Sequence, residues 1–222
     1  MKSGLNKSAP PTRLPSVLKG STLVRNRLPV AFYDRDPRQV SRDLLGKVLV
    51  RREGRKLLIG RIVEVEAYLG TGDAAAHAAA GRTGRNDVLF GPPGRAYVYF
   101  IYGMHFCLNV SCLPDGIAGG VLFRGLEPLS GLEQMARARN LDIAELRNLR
   151  LLTVGPGRMA EAFGITRDRD NGKDMTSTRS DLWIADDGFP EPRVLVTKRI
   201  GITKSADMPL RYTIEGNKYL SR

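Results

Sequence analysis

Two carboxylates and a phenol stand at alternate positions in Arg61-Ile-Val-Glu-Val-Glu-Ala-Tyr68. In a strand, successive side chains point to opposite faces, so Glu64, Glu66 and Tyr68 share one face while Val63 and Val65 share the other. Such a row is poor core material. It is either a solvated strand face balanced by neighbouring arginines, or a place where one carboxylate acts as a general base or cation stabiliser beside an aromatic wall. Periodicity does not choose between Glu64 and Glu66. A second concentration is Tyr97-Val-Tyr-Phe-Ile-Tyr102, followed by Phe106. Alternation puts Tyr97, Tyr99 and Ile101 on one face and Val98, Phe100 and Tyr102 on the other, with Tyr97 and Phe100 read as ordinary half-buried strand residues. Tyr102 differs, because with Gly103 it forms the tip of a presumed hairpin, where an exposed ring suits a wedge between base steps. Asn109 and Arg124 interrupt the apolar runs Cys107-Leu-Asn-Val110 and Val121-Leu-Phe-Arg-Gly125. A buried arginine requires a carboxylate, and the strand glutamates are the obvious candidates. Gly155-Pro-Gly-Arg158 either turns backbone N–H groups toward a phosphate or simply starts a helix.

The elements that must hold these residues follow from turn and cap signals. Asp36-Pro37 caps and opens a short helix through Leu44 and Leu45, closed by Gly46. Residues 48–52 and 57–68 read as strands joined at Glu53-Gly54-Arg55. Residues 70–95, rich in Gly, Ala and Arg, read as a long surface loop, and loops of that length inside compact domains are usually functional. Ala96 to Cys112 reads as a hairpin. A strand is expected at 120–125, then a helix from a Ser130/Glu133 capping box to about Asn148. Another helix is expected from Gly155 to Gly164, and strands at 182–185, 194–200 and 211–214. Strands and helices come in blocks, so the fold expected is α+β. Met1 to Val30 carries six basic residues, no acid and four prolines, and reads as a flexible basic arm before one domain over 31–222.

The chain of 222 residues is long enough to bury a core unaided. Cys107 and Cys112, without a second Cys/His pair at ligand spacing, argue against a disulfide framework or zinc site, and a reducing compartment is expected. No apolar run approaches a membrane span, and residues 1–30 lack the compact apolar segment of a signal peptide. With 35 Lys+Arg against 23 Asp+Glu, the net charge of +12 points to a polyanionic partner, though a basic surface kept for solubility is the plain alternative.

Several motifs, taken together, resemble the alkyladenine (3-methyladenine) DNA glycosylase family. They are Glu64-Val-Glu-Ala-Tyr-Leu-Gly70, Asp73 with His77, Gly91-Pro-Pro-Gly94, Tyr97-Val-Tyr-Phe-Ile-Tyr-Gly-Met104, Phe106-Cys-Leu-Asn109 and Phe123-Arg-Gly-Leu-Glu-Pro128. The similarity runs in order from about Asp36 to near residue 215. It implies one α+β domain with a curved, mostly antiparallel sheet, flanking helices and a protruding DNA-binding β-hairpin. The activity implied is that of a monofunctional glycosylase of base excision repair, which flips alkylated or deaminated purines out of duplex DNA and hydrolyses the N-glycosidic bond. By the same resemblance Glu66 is the general base, Arg124 helps hold the attacking water, and the Ile200 carbonyl completes the water site. Tyr68, His77 and Tyr99 line the base pocket, Asn109 excludes the guanine amino group, and Tyr102 is the wedge. No cofactor and no metal are implied. The partner is double-stranded DNA containing damaged purines, met by a monomer away from membranes, in the bacterial cytoplasm near the nucleoid or in a nucleus. His105 departs from the family pattern, where vertebrate members have tyrosine, and the 113–120 connection is slightly longer.

The chemistry agrees when built from below. An extruded base needs stacking surfaces, and the vacated stack needs a filler. Cleavage develops oxocarbenium character at the sugar, which one carboxylate can stabilise while orienting a water. No catalytic lysine is evident, which disfavours Schiff-base lyase chemistry. Two rival readings are a non-catalytic nucleic-acid-binding protein and a hydrolase of free nucleosides. The first has no use for Glu66 paired with Arg124 in a pocket, and the second leaves the basic arm and Tyr102 without a role.

Overall fold

The computed structural model describes residues 20–221. Its strands are β1 (Val48–Glu53), β2 (Lys56–Tyr68), β3 (Ala96–Ile101), β4 (His105–Ser111), β5 (Gly120–Ser130), β6 (Leu182–Ala185), β7 (Val194–Thr197) and β8 (Arg211–Ile214). The helices are α1 (Gly20–Arg25), α2 (Val30–Tyr33), α3 (Pro37–Leu44), α4 (Leu132–Ala138), α5 (Leu146–Leu151), α6 (Pro156–Ala162) and α7 (Arg167–Asp170). The strands form one antiparallel sheet ordered β3-β4-β5-β2-β1-β6, while β8 pairs with the far half of β2 and with β7. The mixed α+β architecture expected from the block pattern is therefore the one observed. β2 is the axis. Its first half pairs with β1 from Val48↔Arg61 to Glu53↔Lys56, and residues 64–66 pair with β8 on that same side.

Along the other side, β2 and β5 do not stay in step. Ile62 pairs with Leu126, Glu64 with Gly125 and Val65 with Phe123, so Val63 is an extra residue in β2 and Arg124 an extra residue in β5. Each β-bulge inverts the alternation beyond it. In β2 the main core takes Leu58 and Ile62 before the bulge and Val65 and Ala67 after it. Val63 leaves that face and packs instead with Val154 and Tyr219. The strict alternation that grouped Val63 with Val65 is corrected by this bulge, while Glu64, Glu66 and Tyr68 keep their common side. In β5 the core likewise takes Leu126, then Phe123 and Val121.

Against these apolar positions lie Val40 and Leu44 of α3, Met135 and Ala136 of α4, and Met159, Ala160 and Ala162 of α6. α3 begins as its sequence demands, with the Asp36 side chain accepting from the Arg38 N–H at 2.8 Å and Pro37 in the first turn. Two expectations change. Residues 20–30, read as part of the basic arm, contain α1 and α2's first residue, with Leu23 and Leu28 buried and Arg27 bridged to Ala185; the rest of the arm lies outside the described residues. The Ser130/Glu133 capping box is also absent. Ser130 is still in β5, paired with Ile59, and Gly131 supplies the N-cap at φ +78°, a left-handed conformation that favours glycine. The helical stretch then divides into α4 and α5.

The 70–95 segment is a packed wall with two 3-10 turns, Gly70–Gly72 and Asp87–Phe90. Asp73, Ala76, Ala78, Asn86, Leu89 and Phe90 are buried in it. Asn86 holds it together, donating to the carbonyls of His77 and Gly81 and accepting from the Thr83 N–H.

Candidate active site

The two bulges bring Glu64, Glu66 and Arg124 together. Both glutamates are fully buried. Glu66 Oε1 accepts from the Ile200 backbone N–H at 2.8 Å and lies 3.3 Å from Arg124 Nη1, while Oε2 accepts from the Tyr68 hydroxyl at 3.0 Å. Glu64 stands behind, 3.2 Å from Arg124 Nε and 2.7 Å from Arg211 Nε. The buried arginine thus found the carboxylates its chemistry requires. Burial, with the Glu66 charge and its hydrogen bond, pushes the Tyr68 hydroxyl far above its ordinary range, so it remains a donor.

In front of Glu66 opens a cavity of about 420 Å³ whose lining includes Tyr68, His77, Tyr97, Tyr99, Asn109 and Ile200. Volumes of this order suit a small planar ligand. Tyr97 and Tyr99 stack at 5.5 Å between centroids, and the His77 ring meets Tyr99 edge-on at 4.4 Å. His77 Nδ1 is 2.9 Å from the Tyr97 hydroxyl. Burial, aided by the Arg85 charge, lowers the His77 pKa, and burial raises that of Tyr97. A protonated Tyr97 hydroxyl therefore faces a neutral imidazole, which fits Nδ1 as acceptor and Nε2 as the N–H. Asn109 is buried and donates to the Tyr97 carbonyl at 3.3 Å. Beside it, burial pushes the Cys107 thiol up to about 11 against the opposing pull of Tyr99 and Arg124. Cys107 and Cys112 are both buried free thiols.

Two loops carry the pocket's outer parts, and one ion pair joins them. Arg199 donates to Asp73 from Nη1 at 2.5 Å and Nη2 at 2.8 Å, and its Nη1 also reaches the Ala67 carbonyl at 3.0 Å. Its guanidinium lies over the Tyr68 ring at 4.6 Å. The residue that precedes Ile200 is thus clamped to the 70–78 loop. Gly70, at φ +76°, sits where an added Cβ would lie 1.9 Å from the Ala118 carbonyl oxygen, so no side chain fits.

The hairpin of β3 and β4 turns through Tyr102 and Gly103, both at positive φ, as a type I′ turn requires. Tyr102 is 84% exposed and borders the same cavity. Phe100 meets Phe106 at 4.9 Å between centroids, the rings tilted by 48°.

The structure therefore gathers Arg124, Tyr68, His77, Tyr99, Asn109, Tyr102 and Ile200 around one cavity, with Glu66 behind that lining and bound to Tyr68, Arg124 and Ile200. Ile200 lines the cavity and reaches Glu66 through its N–H, a different atom from the carbonyl singled out from the sequence for the water site. Tyr97, read as an ordinary half-buried strand residue, is fully buried and bound to His77, and the alternation that pairs it with Tyr99 was its signal. Asp73, Arg199 and Asn86 received no role from the sequence: Asp73 and Arg199 lie 126 residues apart and only a fold joins them, while Asn86 bonds within its own loop. Among the described residues, no group of three or more His, Cys, Asp or Glu side chains is placed to hold a metal ion, and no helix is long and apolar enough to cross a membrane.

A family model described as methylpurine-DNA glycosylase (MPG) matches residues 31–218. The chain belongs to that family. This glycosylase is 68% identical over 194 residues to a protein of Koribacter versatilis named as a 3-methyladenine DNA glycosylase, covering 87% of this chain and 92% of that one. Proteins with the same name from Burkholderia cenocepacia and Methanoculleus marisnigri are 47% and 48% identical over 195 and 200 residues. The alignments cover 87% and 88% of this glycosylase and 90% and 98% of those relatives. The family expected from the motifs is the family found, and it places the enzyme in the base excision repair of methylated purines.

Proposed function

We propose that this 3-methyladenine DNA glycosylase flips alkylated or deaminated purines, of the 3-methyladenine, 7-methylguanine, hypoxanthine and ethenoadenine type, into the aromatic cavity and hydrolyses the N-glycosidic bond there. The observation that carries the reading is a buried carboxylate, Glu66, held by Tyr68, Arg124 and Ile200, which themselves line a cavity with His77 and Tyr99. An unpartnered buried carboxylate is costly, and here two hydrogen bonds and the Arg124 ion pair hold and orient Glu66. Those three leave lone-pair capacity on its oxygens for one water. As the C1′–N bond breaks, its electron pair leaves with the base and positive charge builds on the sugar, close to the carboxylate. The water oxygen bonds to C1′ and its proton passes to Glu66. An N3- or N7-alkylated purine already carries positive charge and departs neutral, so it needs no acid, whereas hypoxanthine or ethenoadenine leaves as an anion and takes its proton from solvent water.

Arg124 holds Glu66 and the water in register, and the Ile200 segment completes that wall. The stacked Tyr97 and Tyr99 with His77 grip the base, and the His77 Nε2–H offers a donor to its edge. Asn109 occupies the place where a guanine amino group would project, which selects against undamaged guanine. Tyr102 enters the vacated stack, and the partner is duplex DNA bound by a monomer. A duplex carrying one ethenoadenine or hypoxanthine tests this reading. The expected products are the free base and an abasic strand that breaks only on alkali treatment; strand breakage without alkali would overturn the monofunctional assignment, and lesion binding without base release would leave a binding protein.

A further inference from the structure

Arg124 touches Glu66 with one nitrogen only, Nη1; its other nitrogens are held from behind. Nε lies 3.2 Å from Glu64 Oε1 and 3.3 Å from Ser221 Oγ, and Nη2 lies 3.2 Å from that same hydroxyl. Ser221 also grips Glu64 twice, Oγ donating to Oε1 at 2.7 Å and the backbone N–H to Oε2 at 2.5 Å. A serine hydroxyl has one proton and two lone pairs, so it can donate to Glu64 while accepting from Arg124.

The segment 217–221 is itself fastened. Arg150 donates to the carbonyls of Lys218 and Leu220 at 2.7 and 3.1 Å, Arg211 Nη2 donates to the Ser221 carbonyl at 3.2 Å, and the Tyr219 ring is buried with Val63 and Val154. The Tyr219 carbonyl also packs where a Cβ on Gly125 would lie only 2.7 Å away, so the strap lies flat on the bulge that presents Arg124.

We propose that Ser221, with Glu64, is a positioning residue for excision: the strap 217–221 fixes the Arg124 guanidinium so that Nη1 meets Glu66 in the orientation the reaction needs. The proposal rests on the reading of Glu66 and Arg124 as the reacting pair. It assigns Glu64 a role distinct from that of Glu66, because Glu64 is saturated by Arg124, Arg211 and Ser221 and faces Arg124 from behind. A guanidinium released on one side can swing by a fraction of an ångström, and misplacements on that scale are expensive in rate while leaving binding intact.

The test is a double-mutant cycle with Ser221→Ala and Arg124→Ala, read as single-turnover release of ethenoadenine and, separately, as affinity for the lesion duplex. Ser221→Ala is expected to slow release about tenfold with affinity within about twofold of the parent. Ser221→Thr, which keeps the hydroxyl, restores most of the rate. In the Arg124→Ala background, Ser221→Ala costs nothing further. A parental rate in Ser221→Ala, an equal loss in both backgrounds, or a loss matched by weaker lesion binding would each overturn the proposal. If Glu66→Gln and Arg124→Ala themselves excise at the parental rate, the underlying catalytic reading fails instead, so the two failures are distinguishable.

Discussion

Glu66 meets three donors while Glu64 is closed off, and this asymmetry makes Glu66 the one to change. Replacing Glu66 with Gln keeps the shape, removes the charge and the base, and should slow single-turnover excision about 10²- to 10⁴-fold with lesion affinity retained. A rate within tenfold of the parent would refute the assignment. Much of this was legible beforehand: a glutamate pair inside a β-branched run and an arginine inside another predicted each other, because neither is stable buried alone. Choosing between the glutamates was not, since Glu64 and Glu66 differ only in what lies behind them, and that comes from Arg211 and Ser221 on distant segments. Arg199 was silent for the same reason, its partner Asp73 being 126 residues away.

At the level of elements, the β3–β4 hairpin carries the proposed wedge, Tyr102. Its tip, residues 102–104 between the paired Ile101 and His105, presents a tyrosine that packing does not need, so Tyr102→Ala should cost little stability. Aromatic–base stacking is worth about 1–3 kcal/mol, so the flipping equilibrium measured by ethenoadenine fluorescence should fall roughly 5- to 150-fold, with affinity for undamaged DNA nearly unchanged. An unaltered flipping constant would make Tyr102 a plain surface residue. The hairpin was readable because Gly103 follows a Tyr between two β-branched runs. The end of β5 was not, because Ser130-Gly-Leu-Glu133 satisfies a local helix-start rule that loses to pairing with Ile59, and Gly131 alone tolerates the resulting turn. The 70–95 wall looked like surface because its small residues give no periodicity, yet those residues let it close over the pocket.

For the molecule as a whole, charge and pH make separable predictions. Net +12 implies that affinity for lesion and undamaged duplex falls steeply as salt rises, through release of counterions from phosphates. EDTA should leave single-turnover excision unchanged, and loss of activity restored by zinc or magnesium would contradict this. Stability should fall with acid in two stages. The lowered His77 pKa means the unfolded chain takes up a proton that the native imidazole refuses, so stability declines as pH drops below about 6.5. Burial works against ionised Asp73, but Arg199 and the N–H groups of Ala75 and Leu69 outweigh it and hold the carboxyl low. That contribution is complete above about pH 4 and is lost as pH falls through the native value. Urea unfolding at pH 7, 5.5 and 3.5 should show both steps, and Asp73→Asn should cost about 3–5 kcal/mol at pH 7 while flattening the second. Equal stability at the three pH values would refute both. The two bulges carry a further consequence for how such a gene can vary. Loss of the codon for Val63 would remove the bulge and leave Ile62, Glu64, Val65 and Glu66 in plain alternation, so Glu66 would keep its side. Loss of the codon for Val65, with the bulge kept, would instead turn Glu66 into the oil of Phe123 and Met159. Loss of Arg124 would preserve the two faces of β5 but delete the arginine itself. Substitution can tune this strand pair residue by residue, but a change of length is absorbed only at the bulges.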